Sequence, residues 1–231
     1  MANLKENRNI AKLIGFTETP YHCYVMKKYK CSLQHLIDNI GLEKNLETCT
    51  FIGNEISNGM KYIHSKGIIH LDLKPLNILI DEYDQGNYNF VICDFGSSSI
   101  IGDTPRALGF EAPERLEFTC RYTPPEVFQR MRINDSFSGR PSTENDKSID
   151  VYAFAITMFE VITREKSYKG MTADQIIELI LAGNRPDWPI DIRVNASYAA
   201  LLELVQDCWA ASPTSRPKFD QIQFIFNQNL Q

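Results

Sequence analysis

The feature that most constrains this chain is a pair of short apolar runs that enclose a turn and carry polar residues at their outer ends. The runs are "NILI" (77–80) and "FVIC" (90–93), and the turn-forming stretch "DEYDQGNYN" separates them. This pattern predicts an antiparallel β-hairpin. Asn77 precedes the outgoing strand and Asp94 follows the returning strand, so pairing brings their side-chain oxygens to one end. Hard oxygen ligands suit Mg²⁺, and the sequence therefore predicts a cation site there.

The loop that leads into this hairpin carries further reactive groups. Asp72 lies five residues before Asn77, and Lys74 stands between them. A carboxylate at this place could orient a hydroxyl group or accept its proton, while the lysine could neutralise a transferring phosphoryl group. Taken singly, each residue has an ordinary structural explanation as a turn or cap residue. The joint pattern around one hairpin is far more specific and indicates phosphoryl-transfer chemistry.

Composition excludes several other classes of protein. A net charge of −5 gives no reason to expect binding to nucleic acid or to an anionic membrane. The six cysteines are scattered without a Cys-x-x-Cys pair, which predicts reduced thiols rather than disulfides or a metal site. Cys93 adjoins the predicted cation site, but the favoured interpretation is a small buried residue. Without a secretory pattern or a membrane-length apolar run, we expect a cytoplasmic protein.

The rest of the chain is predominantly helical by its periodicity. A first hairpin is predicted over 9–29, and a buried central helix over the almost wholly apolar stretch 148–163. Five further helices are predicted at 31–42 with Ser32 as N-cap, from Leu46 to near Gly67, and at 172–183, 197–209 and 215–230, the last three each capped by its first Thr or Ser. Residues 96–146 are predicted to be mostly loop.

Several of these stretches resemble the eukaryotic protein kinase superfamily. "IIHLDLKPLNILI" followed by "VICDFG" is similar to the signature H-R-D-L-K-x-x-N and D-F-G. "TCRYTPPEVF", "SIDVYAFAITMFEVIT" and "CWAASPTSRPKFDQI" resemble the segment that closes the activation loop, the central helix and the late Arg-Pro element. The mixture of features resembles the tyrosine-kinase-like group of Ser/Thr kinases. The resemblance implies an α+β, protein kinase-like fold, mainly the helical C-terminal lobe with a remnant β-hairpin of the N-terminal lobe.

The resemblance also implies roles for individual residues. Asp72 and Lys74 would be the catalytic carboxylate and the phosphate-facing lysine, with Thr119 contacting both, while Asn77 and Asp94 would hold Mg²⁺. The ATP-contacting residues would be Met26 as gatekeeper, the hinge backbone of Lys27, Lys28 and Tyr29, and Leu79 beneath the adenine. The structural residues would be His70, Phe95, Gly96, Glu126, Asp150 and Arg216, with Asp150 bracing the catalytic loop and Arg216 pairing with Glu126.

The resemblance divides the chain into two unequal parts. Residues 1–30 would be the remnant of the N-terminal lobe, namely the end of helix C, strands four and five, and the hinge. Residues 31–231 would form the C-terminal lobe, with an activation segment at 94–126 and an inserted loop at about 127–147. The literal Ala-Pro-Glu at 112–114 is rejected as the closing segment, because 119–128, which reads Pro-Pro-Glu at 124–126, reproduces the wider flanking pattern and lies nearer to Asp150.

Two departures from the family pattern affect function. The 231 residues contain no Gly-x-Gly-x-x-Gly loop, strand lysine or partner acid, so the chain is expected to be truncated and weakly active or inactive alone. A partner that supplies or covers the missing lobe is expected. Leu71 replaces the usual arginine, which predicts that activation-loop phosphorylation does not act through arginine clamping. Two hypotheses remain: an ATP-dependent Ser/Thr kinase acting on protein substrates, or a pseudokinase scaffold.

Overall fold

A computed structural model describes residues 7–17, 23–39, 43–84, 87–102, 120–133 and 143–229. Its helices are α1 (Leu33–Asn39), α2 (Leu46–Ser65), α3 (Pro125–Ile133), α4 (Lys147–Thr163), α5 (Ala173–Leu181), α6 (Ile190–Arg193), α7 (Ala199–Cys208) and α8 (Phe219–Asn229). Its strands are β1 (Leu13–Thr17), β2 (Cys23–Met26), β3 (Cys31–Ser32), β4 (Ile68–Ile69), β5 (Ile78–Asp84), β6 (Asn87–Ile92) and β7 (Ser99–Ile100). This helix-rich arrangement with short antiparallel strands confirms the predicted α+β class.

Both predicted hairpins are present. Strands β1 and β2 pair antiparallel in a two-stranded sheet, with Phe16 opposite Tyr24. Strands β5 and β6 pair antiparallel with Ile78 opposite Ile92, and β3 adds to the other edge of β5. The alternation of turn residues and apolar runs in the sequence is therefore sufficient to place the sheet that carries the candidate site.

Helix α4 lies at the centre of the fold. Each residue from Ile149 to Thr163 is buried, and the helix contacts α2 and α7 as well as the turns that precede α3 and α4. A helix that is apolar around its whole circumference must be surrounded by other elements, which confirms the predicted buried central helix. Its position also fixes the few polar side chains that it carries within the core.

The segment that precedes β1 is anchored to the helical part of the chain. Ile92 donates its backbone N–H to Asn9 O and accepts from Ala11 N, both at 2.8 Å, so residues 9–11 lie along the free edge of β6. The Asn9 side chain donates to Glu55 Oε2 on α2 at 2.9 Å. A Cβ added at Gly59 would lie 3.1 Å from Asn9 O, so this segment and α2 approach closely.

The region between 96 and 146 is less irregular than predicted. Helix α3 occupies residues 125–133, and a short 3₁₀ turn occupies 144–146. The predicted insertion at 127–147 therefore begins inside a helix, and its residues 134–142 lie outside the described part of the chain. Pro125 stands at the first helical position, where no intrahelical hydrogen bond needs its missing N–H. A proline that suggests a loop in the sequence therefore marks the start of a helix.

Two predicted helix caps are wrong. Helix α7 begins at Ala199, and its N-cap Tyr198 makes no side-chain capping hydrogen bond. Ser197 belongs to the preceding 3₁₀ turn, which Asn195 caps by accepting from Ser197 N at 3.1 Å. Helix α8 begins at Phe219, because Ser215 belongs to a separate 3₁₀ turn at 213–215. The other predicted caps hold: Ser32 accepts from His35 N at 3.3 Å and Thr172 from Gln175 N at 3.4 Å. Among the described helices, none has the length and apolarity required to span a bilayer.

Candidate active site

The central helix holds the loop that follows β4. Asp150, in the first turn of α4, is fully buried and accepts three hydrogen-bond donors. Its Oδ2 lies 2.8 Å from the backbone N of His70 and 2.8 Å from His64 Nε2, while its Oδ1 lies 2.8 Å from Leu71 N. A buried carboxylate with this set of donors is well satisfied. It fixes the backbone of the loop immediately before Asp72.

Leu71 adopts a backbone conformation that is uncommon for leucine. Its φ is +67°, in the left-handed region where a Cβ crowds the following carbonyl at a cost of about 1–2 kcal/mol. The hydrogen bond from its N–H to Asp150 offsets this cost. Strain of this kind persists only where the surroundings over-determine the backbone, and here Asp150 supplies that constraint.

Asp72, Lys74 and Asn77 form one cluster. Lys74 Nζ lies 2.9 Å from each carboxylate oxygen of Asp72. Asn77 Nδ2 donates to Asp72 Oδ2 and to Asp72 O, both at 2.9 Å. All three side chains are largely buried. Because the amide nitrogen of Asn77 faces Asp72, its oxygen points away from that carboxylate, which leaves a hard ligand on the other side.

Asp94 lies at the same end of the β5–β6 hairpin as Asn77. Cys93 N donates to Asn77 O at 2.9 Å, which joins the two loops one residue before Asp94. Asp94 itself has a φ of +60°, is exposed, and accepts a hydrogen bond from Gly96 N at 3.2 Å. Phe95 packs on the His70 ring with centroids 5.2 Å apart. Asn77 and the exposed Asp94 therefore lie at one end of the hairpin, joined through Cys93, and their joint binding of a cation stays a prediction.

This donor set suits Mg²⁺. The ion commonly takes one or two protein groups and completes its shell with water and phosphate oxygens. The described residues contain no cluster of three or more His, Cys, Asp and Glu side chains that could enclose a metal. A cation here would therefore depend on Asn77, Asp94 and oxygens from a nucleotide.

Two of the predicted adenine-contacting residues share one apolar cluster. Leu79 and Tyr29 both pack on the small apolar cluster formed by Ala11, Val91 and Cys93. Tyr29 Oη accepts a hydrogen bond from Lys12 N at 3.0 Å, which ties the hinge to the start of the first hairpin.

The hinge backbone crosses beside this cluster. Lys27 N donates to Lys12 O at 3.3 Å, and Lys27 Nζ lies 2.8 Å from Asp81 Oδ2. Met26 ends strand β2 and is exposed, as is Lys28. The backbone N–H of Lys27 is thus engaged by Lys12, and contact of the hinge with adenine stays a prediction.

Glu126 and Arg216 form a two-point ion pair. Arg216 Nη1 lies 2.7 Å from Glu126 Oε1, and Nη2 lies 2.9 Å from Oε2. The Arg216 side chain is fully buried and stacks against the Tyr152 ring, with Cζ 5.2 Å from its centroid. Bidentate geometry of this type strengthens and orients the pair. It ties the start of α3 to the segment that leads into α8.

Some predicted residues cannot be placed. Thr119 and the Ala-Pro-Glu segment at 112–114 lie outside the described residues. So does Thr104, which lies in the predicted activation segment at 94–126. The structure therefore describes four of the five predicted catalytic and metal-binding residues, namely Asp72, Lys74, Asn77 and Asp94.

Sequence reasoning missed two groups near this site. His64 shares Asp150 with the backbone of His70 and Leu71, and a lone histidine at a helix end gave no signal of this. Glu160 lies on α4, where its Oε1 accepts from Ser167 N at 2.9 Å and its Oε2 from Tyr122 Oη at 2.9 Å. Burial raises the pKa of Glu160 above its ordinary value. Burial also raises the pKa of Tyr122, which lies well above the ordinary value of a tyrosine. A glutamate inside an apolar helix was the available signal.

Cys93 is not a reactive thiolate. Burial, and secondarily the charge of Asp94, raise the pKa of its thiol to about 12. The thiolate is the nucleophilic form of cysteine, so this side chain stays protonated at neutral pH. Its packing beside Leu79 agrees with the interpretation as a small apolar residue.

Comparisons with known proteins complete the description. A family model described as the protein kinase domain matches residues 1–224. A protein of Acanthamoeba polyphaga mimivirus named as a serine/threonine-protein kinase/receptor is 32% identical over 229 residues, covering 96% of this chain and 13% of the relative. A Dictyostelium discoideum LIM domain-containing serine/threonine-protein kinase is 33% identical over 171 residues, covering 74% and 22%. The mouse ankyrin repeat and protein kinase domain-containing protein 1 is 32% identical, covering 77% and 23%. The chain thus spans less than a quarter of the length of each of these three relatives.

Proposed function

This chain belongs to the eukaryotic protein kinase superfamily, and from that membership we propose that it transfers the γ-phosphoryl group of ATP to a serine or threonine hydroxyl of a protein. The observation that carries the proposal is the Asp72–Lys74–Asn77 cluster. Asp150 fixes the backbone just before this cluster, and the β5–β6 hairpin joins the cluster to Asp94. The names of the relatives support the Ser/Thr class. Placement in the tyrosine-kinase-like group stays a prediction.

In the proposed reaction, Asp72 orients the substrate hydroxyl and receives its proton. The hydroxyl oxygen bonds to the γ-phosphorus as the bond from that phosphorus to the β–γ bridging oxygen breaks, and ADP leaves. Lys74 lies 2.9 Å from Asp72 and is placed to neutralise charge on the transferring group. Asn77 and Asp94 would hold Mg²⁺, which supplies neutralisation of the phosphate oxygens. Leu79 and the hinge from Lys27 to Tyr29 would receive the adenine.

We also propose that a protein consisting of residues 1–231 alone transfers phosphoryl groups slowly. Within this sequence no Gly-x-Gly-x-x-Gly stretch is present to cover the phosphates. Kinase catalysis depends almost entirely on positioning and charge stabilisation, and one lost electrostatic donor elsewhere costs on the order of 10²–10³ in rate. The division into an N-terminal remnant at 1–30 and a C-terminal lobe at 31–231, with a partner covering the remnant, is part of this proposal.

The proposed activity is tested with radiolabelled ATP, Mg²⁺ and a mixture of Ser- and Thr-containing protein substrates. We expect slow label transfer that Asp72→Asn reduces by about 10²–10⁴-fold, the usual contribution of a positioned acid–base group. Asp187→Asn is the matched control, because Asp187 is exposed and lines a cavity to which no residue of the cluster contributes. Equal transfer by wild type and Asp72→Asn would show that Asp72 does not catalyse the reaction.

A pseudokinase scaffold is the second candidate. The exposed apolar side chains on the first hairpin favour it, since Ile14, Phe16 and Tyr24 are 65%, 64% and 75% exposed and a contiguous apolar face commonly marks an interaction surface. Thermal unfolding at millimolar Mg·ATP separates the two, because a ligand that binds only the folded state raises its stability. A shift that Asp94→Asn abolishes supports the enzyme, and the absence of any shift in wild type supports the scaffold.

A further inference from the structure

A separate cavity lies between the end of α2, the start of α4 and the segment that leads into α8. Its volume is about 410 Å³, within the range of roughly 300–1,000 Å³ that is typical of small-molecule sites. None of Asp72, Lys74, Asn77 and Asp94 lines it. The cavity is therefore distinct from the candidate active site and available for another ligand.

Three lysines line this cavity, and the acids that face them lie further out. Lys147 Nζ is 2.7 Å from Glu144 Oε2, but the Lys147 side chain is 22% exposed and that of Glu144 is 68% exposed. Lys61 Nζ is 3.9 Å from Asp220 Oδ1, with exposures of 43% and 73%. Lys218 is the third lysine. Ion pairs between exposed groups are weak, so a better anion can displace these carboxylates.

The surroundings of the cavity favour negative charge. The pKa of Glu144 is lowered, first by its hydrogen bond from Lys147 and then by the charges of Lys147, Lys218 and His64. Two helices, α4 and α8, also begin at the cavity, and the N-terminal end of a helix attracts anions. These two sources of positive potential are independent of each other.

The remaining wall is apolar or already paired. Val151 and Phe219 are buried and line the cavity. Arg216 lines it as well, but its guanidinium is engaged by Glu126 and by Ser148 O. The cavity therefore offers lysine ammonium groups beside a small apolar surface, and its volume exceeds that of a bare oxyanion. Such a site matches a phosphoryl group attached to a short aliphatic side chain.

We propose that this cavity binds the phosphoryl group of a phosphorylated serine or threonine side chain through Lys61, Lys147 and Lys218. A phosphoryl group carries a charge of about −1.5 to −2 at neutral pH and three strong acceptor oxygens, enough to replace Glu144 and Asp220 together. The site does not require that the chain be catalytically active. His64 lines the same cavity and touches Asp150, so its ring is a local reporter of occupancy.

The test is a titration of the 231-residue chain with N-acetyl phosphothreonine methylamide, its unphosphorylated counterpart and inorganic phosphate. Calorimetry measures the affinity, and NMR follows the His64 ring signals. We expect the phosphothreonine compound to bind and to move these signals, and the unphosphorylated compound to do neither. Tighter binding of phosphothreonine than of phosphate identifies a peptide as the source of the group, and equal binding identifies the free ion.

Variants that each remove one lysine charge, inside or outside the cavity, locate the site. Lys147→Gln and Lys218→Gln should each weaken binding by about tenfold, the lower range for a hydrogen bond to a charged group. Lys166→Gln, an exposed lysine that does not line the cavity, should leave the affinity unchanged. The proposal is overturned if the phosphothreonine compound does not bind at millimolar concentration or binds no more tightly than inorganic phosphate. It is also overturned if all three variants weaken binding equally, or if binding leaves the His64 ring signals unmoved.

Discussion

Replacing Asp150 by asparagine should destabilise the chain and release the loop that carries Asp72. The carboxylate is fully buried and accepts from His70 N, Leu71 N and His64 Nε2, each at 2.8 Å. An asparagine keeps one oxygen and places an NH₂ group where the other oxygen stood. In its better orientation the oxygen still serves His70 and His64, and the Leu71 N–H faces a donor.

The magnitude follows from two opposing quantities at Leu71. A hydrogen bond to a charged acceptor contributes about 1.5–3 kcal/mol, whereas the left-handed backbone of Leu71 costs about 1–2 kcal/mol. The free energy of the hydrogen bond exceeds the backbone strain and holds the left-handed conformation. Without that hydrogen bond, the strain makes this conformation unfavourable. We expect Asp150→Asn to lower the free energy of unfolding by about 2–3 kcal/mol. Leu71 should relax toward negative φ and displace Asp72.

The assay combines urea unfolding with hydrogen exchange at the Leu71 amide. Asp187→Asn makes the same chemical change at an exposed position and should alter the free energy of unfolding by less than about 0.5 kcal/mol. The hydrogen-exchange rate of the Leu71 amide should rise in Asp150→Asn and should stay at the wild-type value in the control. If Asp150→Asn matches wild type in both stability and Leu71 exchange, Asp150 does not restrain the loop.

Three further predictions concern packing and reactivity. Glu126→Ala leaves the buried Arg216 guanidinium unpaired, so the free energy of unfolding should fall by about 3–5 kcal/mol in urea, and an unchanged midpoint would contradict this. Gly59→Ala should destabilise by about 1–3 kcal/mol despite the better helix propensity of alanine, because the new Cβ would lie 3.1 Å from Asn9 O; a raised midpoint would refute the close approach. Cys93, with a pKa of about 12, should react with iodoacetamide at pH 8 much more slowly than the exposed cysteine of β2, and equal rates would count against its burial.

The sequence was sufficient where a pattern is both local and repeated. The β5–β6 hairpin and the central helix follow from alternation and from an unbroken apolar run, which are properties of neighbouring residues. The pairing of Asn77 with the loop before Asp94 then follows from antiparallel geometry. Prediction failed at α3, because Pro124 and Pro125 look like a loop signal although proline is well tolerated in a first helical turn.

Long-range partners of single polar residues could not be predicted from periodicity. His64 and Asp150 are 86 residues apart in sequence, and Tyr122 and Glu160 are 38 apart. No local spacing encodes such contacts, since they depend on how the helices pack. The sequence does indicate that a charged residue within an apolar helix needs a partner, because an unpaired buried charge is costly. It does not indicate which residue that partner is.

This need for partners connects the polar residues of α4 to function. Asp150 holds the loop that carries Asp72, Tyr152 stacks on the arginine of the Glu126 pair, and Glu160 accepts a hydrogen bond from the hydroxyl of Tyr122. Apolar residues of similar volume at buried charged positions are often neutral or stabilising, so stability alone does not account for the two carboxylates. Each of the three residues reaches a different segment around the candidate site. The central helix therefore acts as the common reference that sets these segments relative to one another, and its buried polar groups are explained by that positioning.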